Sequence, residues 1–143
     1  MGHGTLKKIL RQLILFTVGG TTYYQIELAG RGYSHWTMFI VAGLAFQLIG
    51  FINEYYPWDM PFWKQCVFGA VIITTLEFVA GCIVNILLGW NVWDYTGMPF
   101  NLLGQICLPF IIAWVALSAI AILMDDYIRW WFFAEEKPHY KLI

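Results

Sequence analysis

Residues 74–108 read TTLEFVAGCIVNILLGWNVWDYTGMPFNLLGQICL. The first half belongs to a long apolar run, and an acid, Glu77, lies near the centre of that run. The second half crowds Trp90, Asn91, Trp93, Asp94, Tyr95, Pro99 and Asn101 into a tight polar and aromatic turn. A carboxylate at mid-bilayer costs about 2.5–3.5 kcal/mol on insertion scales. Glu77 is therefore protonated, paired or set against a water-filled cavity, and it has to face the inside of a bundle.

Composition supports a membrane setting. Hydrophobic residues make up 60% of the chain and charged residues 12%, where soluble domains carry about 25% charge. So little polar surface cannot cover a water-soluble fold, which makes lipid the expected solvent. The 143 residues allow a single domain, 1–143. A net charge of −1 leaves no basic field to hold nucleic acid. Cys66, Cys82 and Cys107 lie in apolar runs without CxxC or metal-ligand spacing, so they are expected to pack rather than ligate.

Outward from the opening stretch, the chain reads as an all-α membrane protein, a bundle of four transmembrane helices at about 6–27, 36–54, 66–88 and 102–124. In the first, Gly19 and Gly20 let a neighbouring backbone come close. In the second, Gly43, Gln47, Gly50 and Glu54 share one face that should point at other helices. In the third, Thr74, Glu77, Gly81 and Asn85 form one stripe, so Gln47 and Glu77 are expected to meet at the bilayer midplane. The aromatic loop 55–65, with Asp59 and Lys64, reads as an interfacial turn. Asn101 is expected to N-cap the fourth helix and Pro109 to kink it. Asp125 and Asp126 close that apolar run. The aromatic stretch 127–133 then reads as a short interfacial segment, and the tail 134–143 as frayed.

Four crossings put the N-terminus, loop 55–65 and the C-terminus on one side, with Lys7, Lys8, Arg11, Lys64, Arg129, Lys137 and Lys141. Arg31 alone is basic on the other. By the positive-inside rule both termini are cytoplasmic, and the turn 90–101 faces outward.

The candidate chemistry is carried by Glu77 with Gln47, by Asn85 and Gln105 in the outer halves of the third and fourth helices, and by an outward vestibule of Arg31, Asp94 and Asn101. Each has two readings. Glu77 is a substrate or proton site, or a protonated acid tying helices together through Gln47 or Thr74. Asp94 between Trp93 and Tyr95 recognises a cation, or it staples the turn. Arg31 pairs with Asp94 or Glu77, or it is solvated. There is no Walker loop, HExxH or GxSxG pattern, and His3, His35 and His139 have no partner at ligand spacing, so no metal or cofactor is expected.

The opening stretch closely resembles the signature segment of the family called putative ABC-transporter type IV (CmpB-like). The resemblance rests on Leu76, Glu77, Phe78, Gly81, Trp93, Asp94, Tyr95, Asn101, Leu102, Gly104, Ile106, Cys107 and Leu108, and upstream on Arg31-Gly32-Tyr33. Where that family carries an acid late in the first helix, Tyr24-Gln25 stands here and Glu27 is displaced. The resemblance implies a small integral protein of the bacterial plasma membrane, with a transport role and a separate ATPase or transport partner chain.

The expected function is that of a transporter, permease or channel-like subunit with a polar intramembrane site around Glu77. A lone four-helix unit has little interior, which points to a homo-oligomer in the bilayer. The alternatives are a non-transporting assembly subunit and a membrane enzyme acting on lipid. A lipid-sized groove opening sideways with an acid at its end would favour the enzyme, but the sequence otherwise offers enzyme activity no support beyond Glu77 and Asp94.

Overall fold

A computed structural model describes residues 2–56, 58 and 60–143. Asp59 of the expected interfacial turn lies outside the described residues, with Met1 and Pro57. Helix α1 spans Gly2–Arg31, α2 Trp36–Gly50, the short α3 Ile52–Tyr55, α4 Phe62–Gly81 and α5 Leu108–Phe133, and α4 runs on as a π-helical turn, Cys82–Leu87. No strand forms among the described residues, only isolated bridges at Pro61–Lys141 and Leu102–Ile106.

Among the described residues three helices are long and apolar enough to cross a membrane: Trp36–Tyr55, Phe62–Leu87 and Leu108–Phe133. Helix α1 has the length, at 30 residues. Its Thr, Gly, Tyr and Gln between Thr17 and Gln25, and the charges at both ends, make it less apolar than the other three.

Small residues set the packing, as expected where lipid tails offer no hydrophobic drive between helices. Helix α1 lies along α2. Gly19 sits against the Phe46 side chain, and a Cβ at Gly20 would fall 2.7 Å from the Phe39 carbonyl oxygen. A Cβ at Gly43 would meet the Phe16 ring at 2.7 Å. Across α4 and α5, a Cβ at Gly69 would fall 2.6 Å from Ser118 Oγ. Helix α2 thus holds the middle, with α1 on one side and the α4–α5 pair on the other, while α1 scarcely touches α5.

Two apolar clusters mark the two ends. One joins Met38, Val84, Val92 and Trp93. The other joins Ile49, Ile52, Cys66 and Ile122, with Phe62 and Tyr140 packed on it.

Several expectations from sequence change here. The fourth long helix begins at Leu108, not near 102, and its N-cap is Cys107 in extended backbone. Pro109 therefore sits in the first turn, where its missing N–H costs no helical bond and causes no kink. The helix also runs past Asp125 and Asp126 to Phe133, so 127–133 continues α5. The acids do not stop it because Arg129 and Asn53 pair with them. The tail is not frayed: Phe62 N donates to Lys141 O at 2.6 Å, and Tyr140 packs on Phe62 with ring centroids 5.0 Å apart.

The glycine contacts set a test by thermal unfolding in detergent. Gly19→Leu and Gly20→Leu should each destabilise by about 1–3 kcal/mol through overpacking. Gly4→Ala and Gly30→Ala, where an added methyl meets nothing within 4 Å, should not.

Candidate functional site

Glu77 is 3% exposed on α4, about 15 Å, at about 1.5 Å per residue, from the end of that span at Leu87. Its carboxyl is fully engaged. Tyr95 OH donates to Oε1 at 2.7 Å, and Trp114 Nε1 donates to Oε2 at 2.9 Å. The two donors are braced by aromatic contacts. Tyr95 stacks on Phe110 with centroids 4.9 Å apart, and Trp114 meets Phe110 at 5.7 Å and Tyr23 edge-on at 6.1 Å.

This pairing holds either charge state. An indole N–H can only donate, so Oε2 is always an acceptor. A phenol both donates and accepts. If Glu77 takes up a proton on Oε1, that proton can be given to Tyr95 while the phenol turns its own hydrogen away. A proton can therefore come and go without a side chain moving.

The site borders an apolar cavity of about 90 Å³ between α1, α2, α4 and α5. Gly19, Ala42, Ala45 and Ala121 leave the room, larger apolar side chains line most of the rest, and Glu77 with Tyr23 is its polar end. Its lining includes residues of both α1 and α5, the two helices that scarcely meet.

Tyr95 reaches inward because the connection between α4 and α5 folds back. The π-helical turn widens the end of α4 and turns Asn85 into that connection. Asn85 Oδ1 accepts Val92 N at 2.7 Å, and its Nδ2 donates to Gln105 Oε1 at 2.8 Å. Trp93 Nε1 donates to Gln105 O at 3.0 Å. Gly81 is required here, since a Cβ would fall 2.5 Å from Gln105 Oε1. Beyond this layer, Asn101 donates to the Thr96 and Met98 carbonyl oxygens, both at 3.0 Å, and accepts from Gly104 N at 3.1 Å. Tyr95 N closes the turn on Gly104 O at 2.7 Å. Phe100 and Leu103 adopt left-handed backbone, at φ 51° and 53°. Few non-glycine residues do so, and they persist only where surrounding bonds enforce it.

The expected site residues thus fall into separate groups. Glu77 and Tyr95 meet. Asn85, Gln105 and Trp93 form a second, adjoining layer. Asp94 is exposed and accepts from the Thr96 hydroxyl and from Thr96 N, the latter at 2.9 Å, so it staples the turn. Asn101 brackets the turn and does not cap α5. Gln47 does not reach Glu77: its Nε2 donates to Gln12 O at 2.9 Å, because its face of α2 looks at α1. Arg31 pairs with neither Asp94 nor Glu77 but with Glu27 on its own helix, and it lies over the Tyr33 ring at 4.6 Å.

Sequence reasoning missed Trp114 and Tyr23, one tryptophan and one tyrosine among eight of each. It also missed the ion pairs Glu27–Arg31 and Asp125–Arg129, although their i,i+4 spacing was there to be read.

Two tests follow. Glu77→Gln, Tyr95→Phe and the double variant should show a coupling energy of about 0.5–3 kcal/mol in thermal stability. For Asp94, bonds from the Thr96 side chain and then the Thr96 amide hold the carboxyl below the usual aspartate range. A lowered value means its hold on the turn is complete at neutral pH and is lost as pH falls through that lowered value. The Thr96 amide resonance should titrate with a midpoint below about 3.9, and the titration should vanish in Asp94→Asn.

No curated protein and no solved structure matches the chain. A family model does match, over residues 14–140, which take in Glu77, its two donors and the turn between α4 and α5. The chain belongs to the family described as putative ABC-transporter type IV.

Proposed function

We propose that the chain is a small transport subunit of the permease kind, crossing the bilayer four times, with Glu77 as the protonatable group of its pathway. The observation that supports this most is the Glu77 carboxyl itself. It is buried within a membrane-length helix, bonded by Tyr95 and Trp114 in a way that serves both charge states, and set at the polar end of a cavity. Ionisable residues at such depth line pathways and proton relays more often than they serve packing alone.

In this reading α1 is the fourth crossing. Its 30 residues give about 45 Å at about 1.5 Å per residue, enough to span. The end carrying Lys7, Lys8, Arg11, Lys64, Lys137 and Lys141 faces the cytoplasm. The chain works in the bacterial plasma membrane as a homo-oligomer, with an ATPase or transport partner supplied by another chain. The layer of Asn85, Gln105 and Trp93 and the turn of Asp94 and Asn101 hold Tyr95 in place.

The test is proton flux into proteoliposomes carrying a trapped pH dye, driven by a potassium diffusion potential. The purified chain should raise flux above empty liposomes, and Glu77→Gln should lower it at least 10-fold with its melting temperature kept. Flux equal to that of empty liposomes, or unchanged by Glu77→Gln, contradicts the proposal.

A second reading, action on a lipid, draws on the apolar lining of the cavity with an acid, Glu77, among it. It predicts that mass spectrometry finds an extracted lipid consumed on incubation with the chain and spared by Glu77→Gln.

A further inference from the structure

At the end of the molecule away from Trp93, four charged side chains from four parts of the chain form a closed set. They are Arg11 of α1, Glu54 of α3, Arg129 of α5 and Glu135 of the tail. Arg11 pairs closely with Glu135, and Arg129 with Glu54. The crossed pairs are also within reach, Arg11–Glu54 and Arg129–Glu135 both at 3.7 Å. Each guanidinium therefore sees both carboxylates, and the two pairings differ by small side-chain movements. Arg129 is further anchored by Asp125 Oδ2, which accepts from its Nε at 2.8 Å.

The tail adds three more ties. Tyr140 OH donates to Asp126 Oδ2 at 2.8 Å, beside Asn53, which donates to the same oxygen at 2.7 Å. Trp58 Nε1 donates to Glu136 Oε2 at 3.0 Å. Lys141 O receives Phe62 N, as above. Beneath the tail is a polar cavity of about 110 Å³, lined by Glu54, Asp126, Arg129, Glu135 and neighbours. Beneath it too is the apolar cluster that includes Cys66, which is 5% exposed. Because α1 and α5 have few contacts otherwise, Tyr23 on Trp114 among them, the charged set is a second tie between the two helices, at the far end from that ring contact.

We infer that residues 134–143 are a lid that latches α1 to α5, and that its release opens the seam between those helices toward Glu77. The latch stands on the contacts just given, while its consequence for traffic rests on the transport reading of Glu77. Release exchanges the four-way pairing for hydrated charges, uncovers the polar cavity and lifts Tyr140 from the Cys66 cluster.

Cys66 is a built-in reporter, and Cys107, fully buried next to the α4–α5 turn, is an internal control. The full chain in lipid nanodiscs is treated with a maleimide, and labelling is read at each cysteine by peptide mass spectrometry. Glu135→Gln and Tyr140→Ala should each speed labelling of Cys66 at least 10-fold and leave Cys107 unchanged. Equal acceleration at both cysteines, or none at Cys66, overturns the lid. A second arm uses the bridge between Pro61 and Lys141. The Pro61→Cys/Lys141→Cys double variant, oxidised to a disulfide, should lower proton flux at least 10-fold, and a reductant should restore it. Full flux with the lid locked overturns the link between lid and seam. Absence of flux in the unmodified chain sinks the transport reading instead, with the labelling arm still deciding the lid.

Discussion

A carboxyl group within a membrane-length helix has to be given hydrogen-bond donors by the protein, because hydrocarbon supplies none. Glu77 receives two, both from later in the chain: Tyr95 from the returning turn and Trp114 from α5. Much of the unusual backbone follows from that demand. For Tyr95 to reach inward, the connection after α4 must double back beside its own helix. The π-helical turn, the Asn85–Gln105 bond, the bracket made by Asn101 and the left-handed Phe100 and Leu103 are the means. Gly81 and Gly104 are the places where the returning chain passes too close for a Cβ.

The rest of the molecule divides into a well-packed part and a loosely closed one. Close glycine contacts lock α1 to α2, through Gly19, Gly20 and Gly43, and α5 to α2 and α4, through Gly50 and Gly69. Helix α1 packs mainly on α2 and meets α5 at only a few points. The seam between α1 and α5 is bordered at one end by the Glu77 cavity and at the other by the shared ion pairs of Arg11, Glu54, Arg129 and Glu135. Packing in lipid rests on contact and polar pairing more than on solvent exclusion. A seam fastened by exchangeable ion pairs and one ring contact, Tyr23 on Trp114, is thus the part of this fold with the least to lose on opening.

The long helices were legible because apolar runs of membrane length have few alternative readings. What failed was boundary and partner. Residues 102–108 are mostly apolar, so composition extended the fourth helix through them, although Leu103 and Gly104 are left-handed turn residues. A turn built from apolar residues leaves no mark in periodicity. Asp125-Asp126 looked like a stop because two adjacent acids rarely lie inside a span, and the cation that offsets them comes one helical turn later. Gln47 and Glu77 share a depth but not a direction, and sequence gives depth far better than rotation about a helix axis. Tyr95 could be found in the signature turn. Trp114 could not, because only the packing of α5 on α4 brings it to Glu77.

The central claim is that the Glu77 carboxyl is bound inside the protein by Tyr95 and Trp114. It is most directly tested by infrared difference spectroscopy of the chain in nanodiscs across a pH titration, with the Glu77 band assigned by its loss in Glu77→Gln. The account predicts that this band shifts in frequency in both Tyr95→Phe and Trp114→Phe, since each removes one bond to a different oxygen. A Glu77 band indifferent to both substitutions would place the carboxyl elsewhere and contradict the account.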